Sequence, residues 1–185
     1  MATDLTALDL AVAVSVAGST QKGLDLSTPQ DNLNLSKALA FAFGTGAGKG
    51  NQAWHDRRLL AASAAEGALM DLAGVLKNAY GETVNFANVK ALIVFNRSDE
   101  TFTTPVHAPT DAEISVGGAA ATEWLGPFKA ALDAIKIPAG GVFVIAGNWA
   151  TGWPVVGGIS DLLEITNEDG ADEACYEIIL IGESG

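Results

Sequence analysis

Cysteine, histidine and positive charge are what this sequence has least of. It holds one cysteine, two histidines and ten lysines and arginines against 22 aspartates and glutamates, a formal net charge of -12. The lone thiol, Cys175, excludes an internal disulfide framework and a multi-cysteine zinc site. Histidines as far apart as His55 and His107 give no metal-ligand spacing. A chain this acidic is a poor candidate for binding nucleic-acid phosphates non-specifically, and the acidity sets it against anionic membranes. No apolar run of about 18 residues is present to span a bilayer. Met1-Ala2-Thr3-Asp4 lacks the basic start of a secretion signal. The chain is therefore expected to have no cofactor, no metal, no nucleic-acid partner and no membrane partner.

What is present is apolar and patterned. Hydrophobic residues make up 49% of the 185 and charged ones only 17%, which is the composition of a folded core and not of a disordered chain. A chain of this length buries roughly 70% of its unfolded surface, enough for one domain over residues 1–185. Alternation with period two dominates. Leu8, Leu10, Val12, Val14 and Val16 fall on one face, opposite Asp9, Ala11, Ala13 and Ser15, which predicts a half-buried strand. A turn is expected at Gly18 to Gln21. Leu33, Leu35, Leu39, Phe41 and Phe43 repeat the pattern, with Lys37 the exception, up to the glycine tract Gly44 to Gly50.

Thr83 to Asn96 is the most apolar stretch and predicts one or two central strands. Further strands are expected at Gly141 to Ile145, Leu162 to Ile165 and Tyr176 to Ile181. Residues 57–76 read either as strand-turn-strand or as helix, because alanine and leucine favour a helix that Gly67 and Gly74 interrupt. The three-and-four spacing of Trp124, Leu125, Phe128, Ala131, Leu132 and Ile135 predicts a short helix within 120–135, broken at Gly126-Pro127. Turn signals at intervals of about ten residues give the fold class: all-β, a β-sandwich of jelly-roll type with about eight strands and at most one or two short helices.

Signatures of catalysis fail one by one. Gly48-Lys49 is not a phosphate loop, since Phe43 stands where the first glycine belongs and Gly50 where a hydroxyl would hold magnesium. A flexible inter-strand loop is the expectation there. Gly-x-Ser-x-Gly does not occur, and Ser160 precedes a strand. A Ser160, His107, Asp111 triad can be drawn but has no motif behind it. The acidic turn Asn167 to Glu173 offers oxygen ligands suited to Ca²⁺ yet lacks the EF-hand spacing, so it reads as a solvated hairpin loop. Cys175 lies in an apolar strand with no neighbouring base in sequence and reads as a buried small hydrophobe. The chain is expected not to be an enzyme. Two loops stand out instead: Gly44 to Arg58, with Trp54, His55, Arg57 and Arg58, and Gly147 to Pro154, with Trp149 and Trp153. Aromatic anchors beside guanidinium groups make these six residues the candidate interface.

The ordered set of local motifs resembles the small structural proteins of tailed phages. It runs from Leu24-Asp25-Leu26-Ser27 and Phe43-Gly44-Thr45-Gly46-Ala47 through Gln52 to Arg58, Asp71-Leu72-Ala73-Gly74 and Tyr80 to Phe86. It continues with Val89 to Val94, Val116 to Ala120, Pro138 to Phe143 and Tyr176 to Gly182. The resemblance implies a β-sandwich virion component assembled in the bacterial cytoplasm, and it carries over no catalytic residue. The expected role is a capsid decoration or cement protein bound to the major capsid protein or other virion proteins on the outside of the head shell. A tail or fibre-base component that binds host surface or carbohydrate is the alternative. A symmetric homo-oligomer is expected, with a trimer favoured.

Overall fold

The structure is a computed structural model and describes residues 9–21, 23, 27, 30–65, 70–118 and 122–185. The described residues form thirteen strands and no helix. The chain is all-β, as the alternating pattern predicts.

The centre is a five-stranded sheet. β5 (Asn88–Asn96) and β13 (Ala174–Glu183) lie side by side, β4 (Gln52–Leu60) borders β13, and β10 (Val142–Ala146) borders β5. The short β11 (Trp153–Pro154) extends the β10 side by pairing with Asn88 and Val89. All these pairs are antiparallel. The most apolar segment of the sequence thus becomes an interior strand, since β5 and β13 bury a residue on both faces at almost every position.

Each face of this sheet has its own core. One face carries Leu92, Val94, Tyr176, Ile178, Leu180, Trp54 and Leu60. It packs against a three-stranded sheet of β12 (Ile165–Asn167), β8 (Ile114–Gly117) and β9 (Ala134–Ile137), together with Met70, Leu72, Phe86 and Trp124 from the connecting segments. The other face carries Ala91, Ile93, Phe95, Ile179, Ile181, Val144 and Ala146. It is covered by the base of a hairpin, β1 (Asp9–Gln21) with β2 (Gln30–Phe43), through Leu10, Val12, Leu39 and Phe41. The stacking is sandwich-like. Its strand orders, β10-β5-β13-β4 and β12-β8-β9, do not single out a jelly roll, and several of the thirteen strands are only two residues long, where about eight longer ones were expected.

Three expectations are corrected. Gly18 to Gln21 is not a turn: β1 runs on to Gln21, with Gly18 opposite Leu33. Residues 57–76 are neither a helix nor a strand hairpin where described. Residues 57–60 belong to β4, and turns with single bridges Ala65 to Thr166 and Asp71 to Leu162 follow; 66–69 lie outside the described residues. The helix expected within 120–135 is a series of turns over 122–133 leading into β9. Thr122 and Leu132 take positive φ, 45° and 68°, which ends any right-handed helix, and Gly126-Pro127 breaks it between them. The buried Glu123 carboxylate holds the two ends of the segment, accepting the N–H of Gly118 at 2.9 Å and of Leu132 at 2.7 Å.

Candidate functional site

The hairpin of β1 and β2 is the most unusual surface of the molecule. Thirteen residue pairs run from Asp9 opposite Ala42 to Gln21 opposite Gln30, a ribbon about 44 Å long at about 3.4 Å per residue. Cross-strand partners share a face. One face reads Leu10-Phe41, Val12-Leu39, Val14-Lys37, Val16-Leu35 and Gly18-Leu33; the other reads Ala11-Ala40, Ala13-Ala38, Ser15-Ser36 and Ala17-Asn34. Only the base is held: Val12 is 8% exposed and Phe41 1%. Beyond the Val12-Leu39 pair every described residue of both strands is exposed. Val14, Val16 and Leu33 are close to half exposed, and Leu35 is 62% exposed. The alternation that predicts a half-buried strand is thus satisfied in the base and left open in the outer part. Among the described residues the outer arm pairs with nothing but itself, because β3 (Lys49–Gly50) reaches only Ala42 and Phe43 of β2.

The glycine tract that follows is anchored, contrary to the expectation of a flexible loop. A β-bulge in β5 skips Lys90 in the register between Ala91-Ile181 and Val89-Gly182, and bulges re-aim the extra side chain. Lys90 is fully buried. Its ammonium donates to the carbonyls of Gly46 at 2.6 Å and Lys49 at 3.0 Å and to Glu183 Oε1 at 2.5 Å. The Gly46 N–H donates to the same carboxylate. Three acceptors satisfy all three ammonium donors, so the tract is tied to the central sheet at the foot of the arm. Gly44, Gly46 and Gly48 all take positive φ there, which a side chain would resist. A lone lysine inside the run Val89 to Val94 is the sequence signal for this tether.

The six candidate interface residues fall into separate pairs and singles: Arg58 lies over the Trp54 ring at 5.4 Å, and Trp149 meets Trp153. Trp54 is 3% exposed and donates its indole N–H to the Lys77 carbonyl at 3.0 Å, so it serves its own core and is not presented to a partner. Arg57 donates to Glu177 and lies 4.1 Å over the Phe102 ring. The second Glu177 oxygen accepts from Arg97 at 2.7 Å. Arg58 donates to Asp56 at 2.9 Å. Both arginines of the candidate interface thus pair with acids of their own chain. His55 is exposed at the mouth of a cleft of about 630 Å³ that Arg57, Lys77, Thr104, Pro105 and Glu177 also line. Trp149 and Trp153 lie edge to face at 4.8 Å, and Trp153 meets the buried Trp124 at 6.2 Å. Trp149, 36% exposed, is the outer end of an indole chain rooted in the core. A side chain at Gly147 would run into its ring.

The residues drawn as a triad are engaged elsewhere. The ring nitrogens of His107 face Glu173 Oε1 at 3.1 Å and the Ser98 carbonyl at 3.0 Å, while the Ser160 hydroxyl donates to the Glu123 carbonyl at 2.9 Å. Asp111 instead joins Asp169 and Asp172, with a carboxylate oxygen of each within 4.8 Å of the others. Asp169 already accepts the N–H groups of Ala171 and Asp172, the bonds of a self-contained acidic turn. Cys175 is buried in β13, and desolvation there pushes its thiol up to about 11, which makes it a poor nucleophile. Comparison with known protein families, with curated proteins and with solved structures finds no match to this chain.

Proposed function

We propose that this protein is a non-enzymatic structural component of a tailed-phage virion, a decoration protein that binds the outer surface of the head shell as a symmetric oligomer, with a trimer favoured. The observation that carries the reading is the outer half of the β1–β2 arm. A two-stranded ribbon is marginal on its own in water, and apolar patches left open on a monomer mark contact surfaces. A chain that spends more than twenty residues on such an arm is built for an assembly. The resemblance to small phage structural proteins supplies the kind of assembly. The charge of -12 suits the outside of a shell, away from packaged DNA. The engagement of His107 and Ser160 with separate partners favours a structural role over hydrolysis.

The test is binding of the purified chain to phage heads assembled without it. Saturable co-sedimentation with heads, and new density at local threefold positions of the shell, is the expected result. Binding to tails or to host-surface polysaccharide with none to heads would replace this reading by the tail or fibre-base alternative. A hydrolytic turnover lost on His107→Ala would overturn the structural reading altogether.

A further inference from the structure

We infer that the outer arm docks on the central sheet of a second copy of this chain, so that each protomer gives one arm and receives one. The inference supplies the contact for the self-association proposed above, and its test needs no phage particle.

The seat is the face of the five-stranded sheet that the protomer's own arm covers only in part. The paired residues form three rows across the strands: Ala146-Ala91-Ile181-Ala53, Val144-Ile93-Ile179-His55 and Val142-Phe95-Glu177-Arg57. Cover falls from row to row. Ala91 and Ile181 are 0% and 2% exposed beneath the arm base, Ile93 is 8% exposed, and Phe95 and Ile179 are only half-buried. Val142, at the open corner, is 55% exposed. The Glu177-Arg57 end of the third row is taken by Arg97 and Phe102, and His55 ends the second row, so the apolar part of the seat spans β10, β5 and β13. The chain therefore carries an uncovered apolar stripe on its arm and a half-covered apolar patch on its body. The stripe Val14, Val16, Leu33 and Leu35 extends about 14 Å along the ribbon, and three strands at about 4.8 Å spacing extend about 10 Å across the patch.

A second copy is the occupant because of charge. Residues 13–38 hold Lys22, Lys37, Asp25 and Asp31, two of each sign, so the entire excess of twelve acids lies outside that segment. Two such chains repel body to body, and the outer arm approaches a copy without adding to the repulsion. Reciprocal exchange of arms closes as a pair or as a ring.

The experiment is sedimentation velocity of the full chain from about 1 to about 100 µM, with two variants at positions already exposed in the protomer. The wild-type chain is expected to self-associate in the micromolar range. Val16→Glu with Leu35→Glu is expected to weaken this by at least about 30-fold, the change that central contact residues carry. Val142→Glu, on the seat, is expected to do the same. Circular dichroism at low concentration, unchanged in both variants, shows that the fold is intact. A mixture of Val16→Cys and Val142→Cys chains is expected to give a disulfide-linked heterodimer under mild oxidation, with the native Cys175 too buried to contribute.

A wild-type chain that is monomeric at the top of the range overturns the inference. So does dissociation by the arm variant with Val142→Glu still associated, since the arms then meet each other and not the sheet. If the chain is monomeric and the arm variant instead abolishes binding to phage heads, the arm belongs to the shell contact: the exchange fails and the virion reading stands. If exchange is observed without any binding to heads, the virion reading fails and the exchange stands.

Discussion

Lys90 and Glu183 show what a single buried ionic pair does in this protein. Each satisfies the other, and both hold the Gly44–Gly50 tract. Lys90→Met removes one charge and leaves the Glu183 carboxylate nearly buried with a backbone N–H, a change expected to cost about 3–5 kcal/mol in urea unfolding. Lys90→Met with Glu183→Leu removes both charges and is expected to recover much of that loss. Cys175 is expected to stay unreactive towards a disulfide reagent in the folded protein at pH 8 and to react fully in urea. Burial raises its folded pKa to about 11. The neutral thiol therefore contributes stability that is complete below the unfolded value of about 8.5 and declines as pH rises towards about 11. Glu168 has the opposite sign. The Ser115 hydroxyl first, and Lys136 second, hold its carboxyl below the usual range. That stability is present above the ordinary carboxylate pKa and lost in acid. Ser115→Ala is expected to lower the melting temperature at pH 7, by a margin that shrinks as pH falls below about 4.

The β1–β2 arm behaves as two elements joined end to end. Its base is part of a core and its outer part is not, although one alternating pattern runs through both. Phe41→Ala, in the base, is expected to cost about 3–5 kcal/mol, because it empties the contact with Ala91, Ile93 and Ile181. Leu35→Ala, in the outer part, is expected to change the stability of the dilute monomer by less than about 0.5 kcal/mol. Equilibrium unfolding of the two variants side by side measures this asymmetry. The bulge at Lys90 matters at the same scale. By shifting the parity of β5 it places Val89 and Leu92 on one face and Ala91 and Ile93 on the other, which lets a single strand feed both cores.

At the scale of the whole molecule, charge opposes association, and the proposed arm exchange would work against that repulsion. Twelve excess acids repel between copies over roughly a Debye length, about 10 Å at 0.1 M salt. Raising sodium chloride from about 0.02 to about 0.5 M is therefore expected to strengthen self-association, with a further gain as the apolar contact tightens. Sedimentation at fixed protein concentration across the salt series reads this directly. Weakening with salt would mean that ion pairs, and not the arm, hold the copies together.

The sequence by itself determined the all-β class and the strands at its centre. Near-continuous apolar runs rich in β-branched residues make Val89 to Phe95 and Tyr176 to Ile181 interior strands buried on both faces. It also determined that Cys175 is buried, since an apolar strand admits a small thiol more readily than a charge. The tertiary structure alone decided which alternating face is covered. Val12 and Val14 look alike in a one-dimensional pattern, yet the first meets a sheet and the second meets none, because cover depends on where a ribbon runs relative to its neighbours. It alone placed Trp54 in the core and spent Arg57 and Arg58 within the chain, because an aromatic or a cation near a glycine tract reads the same whether its partner is its own fold or another molecule. The helix expected within 120–135 failed for a related reason: apolar spacing of three and four also serves turns that drop Trp124 and Phe128 into a core, and positive φ at Thr122 and Leu132 belongs to the packing and not to the pattern.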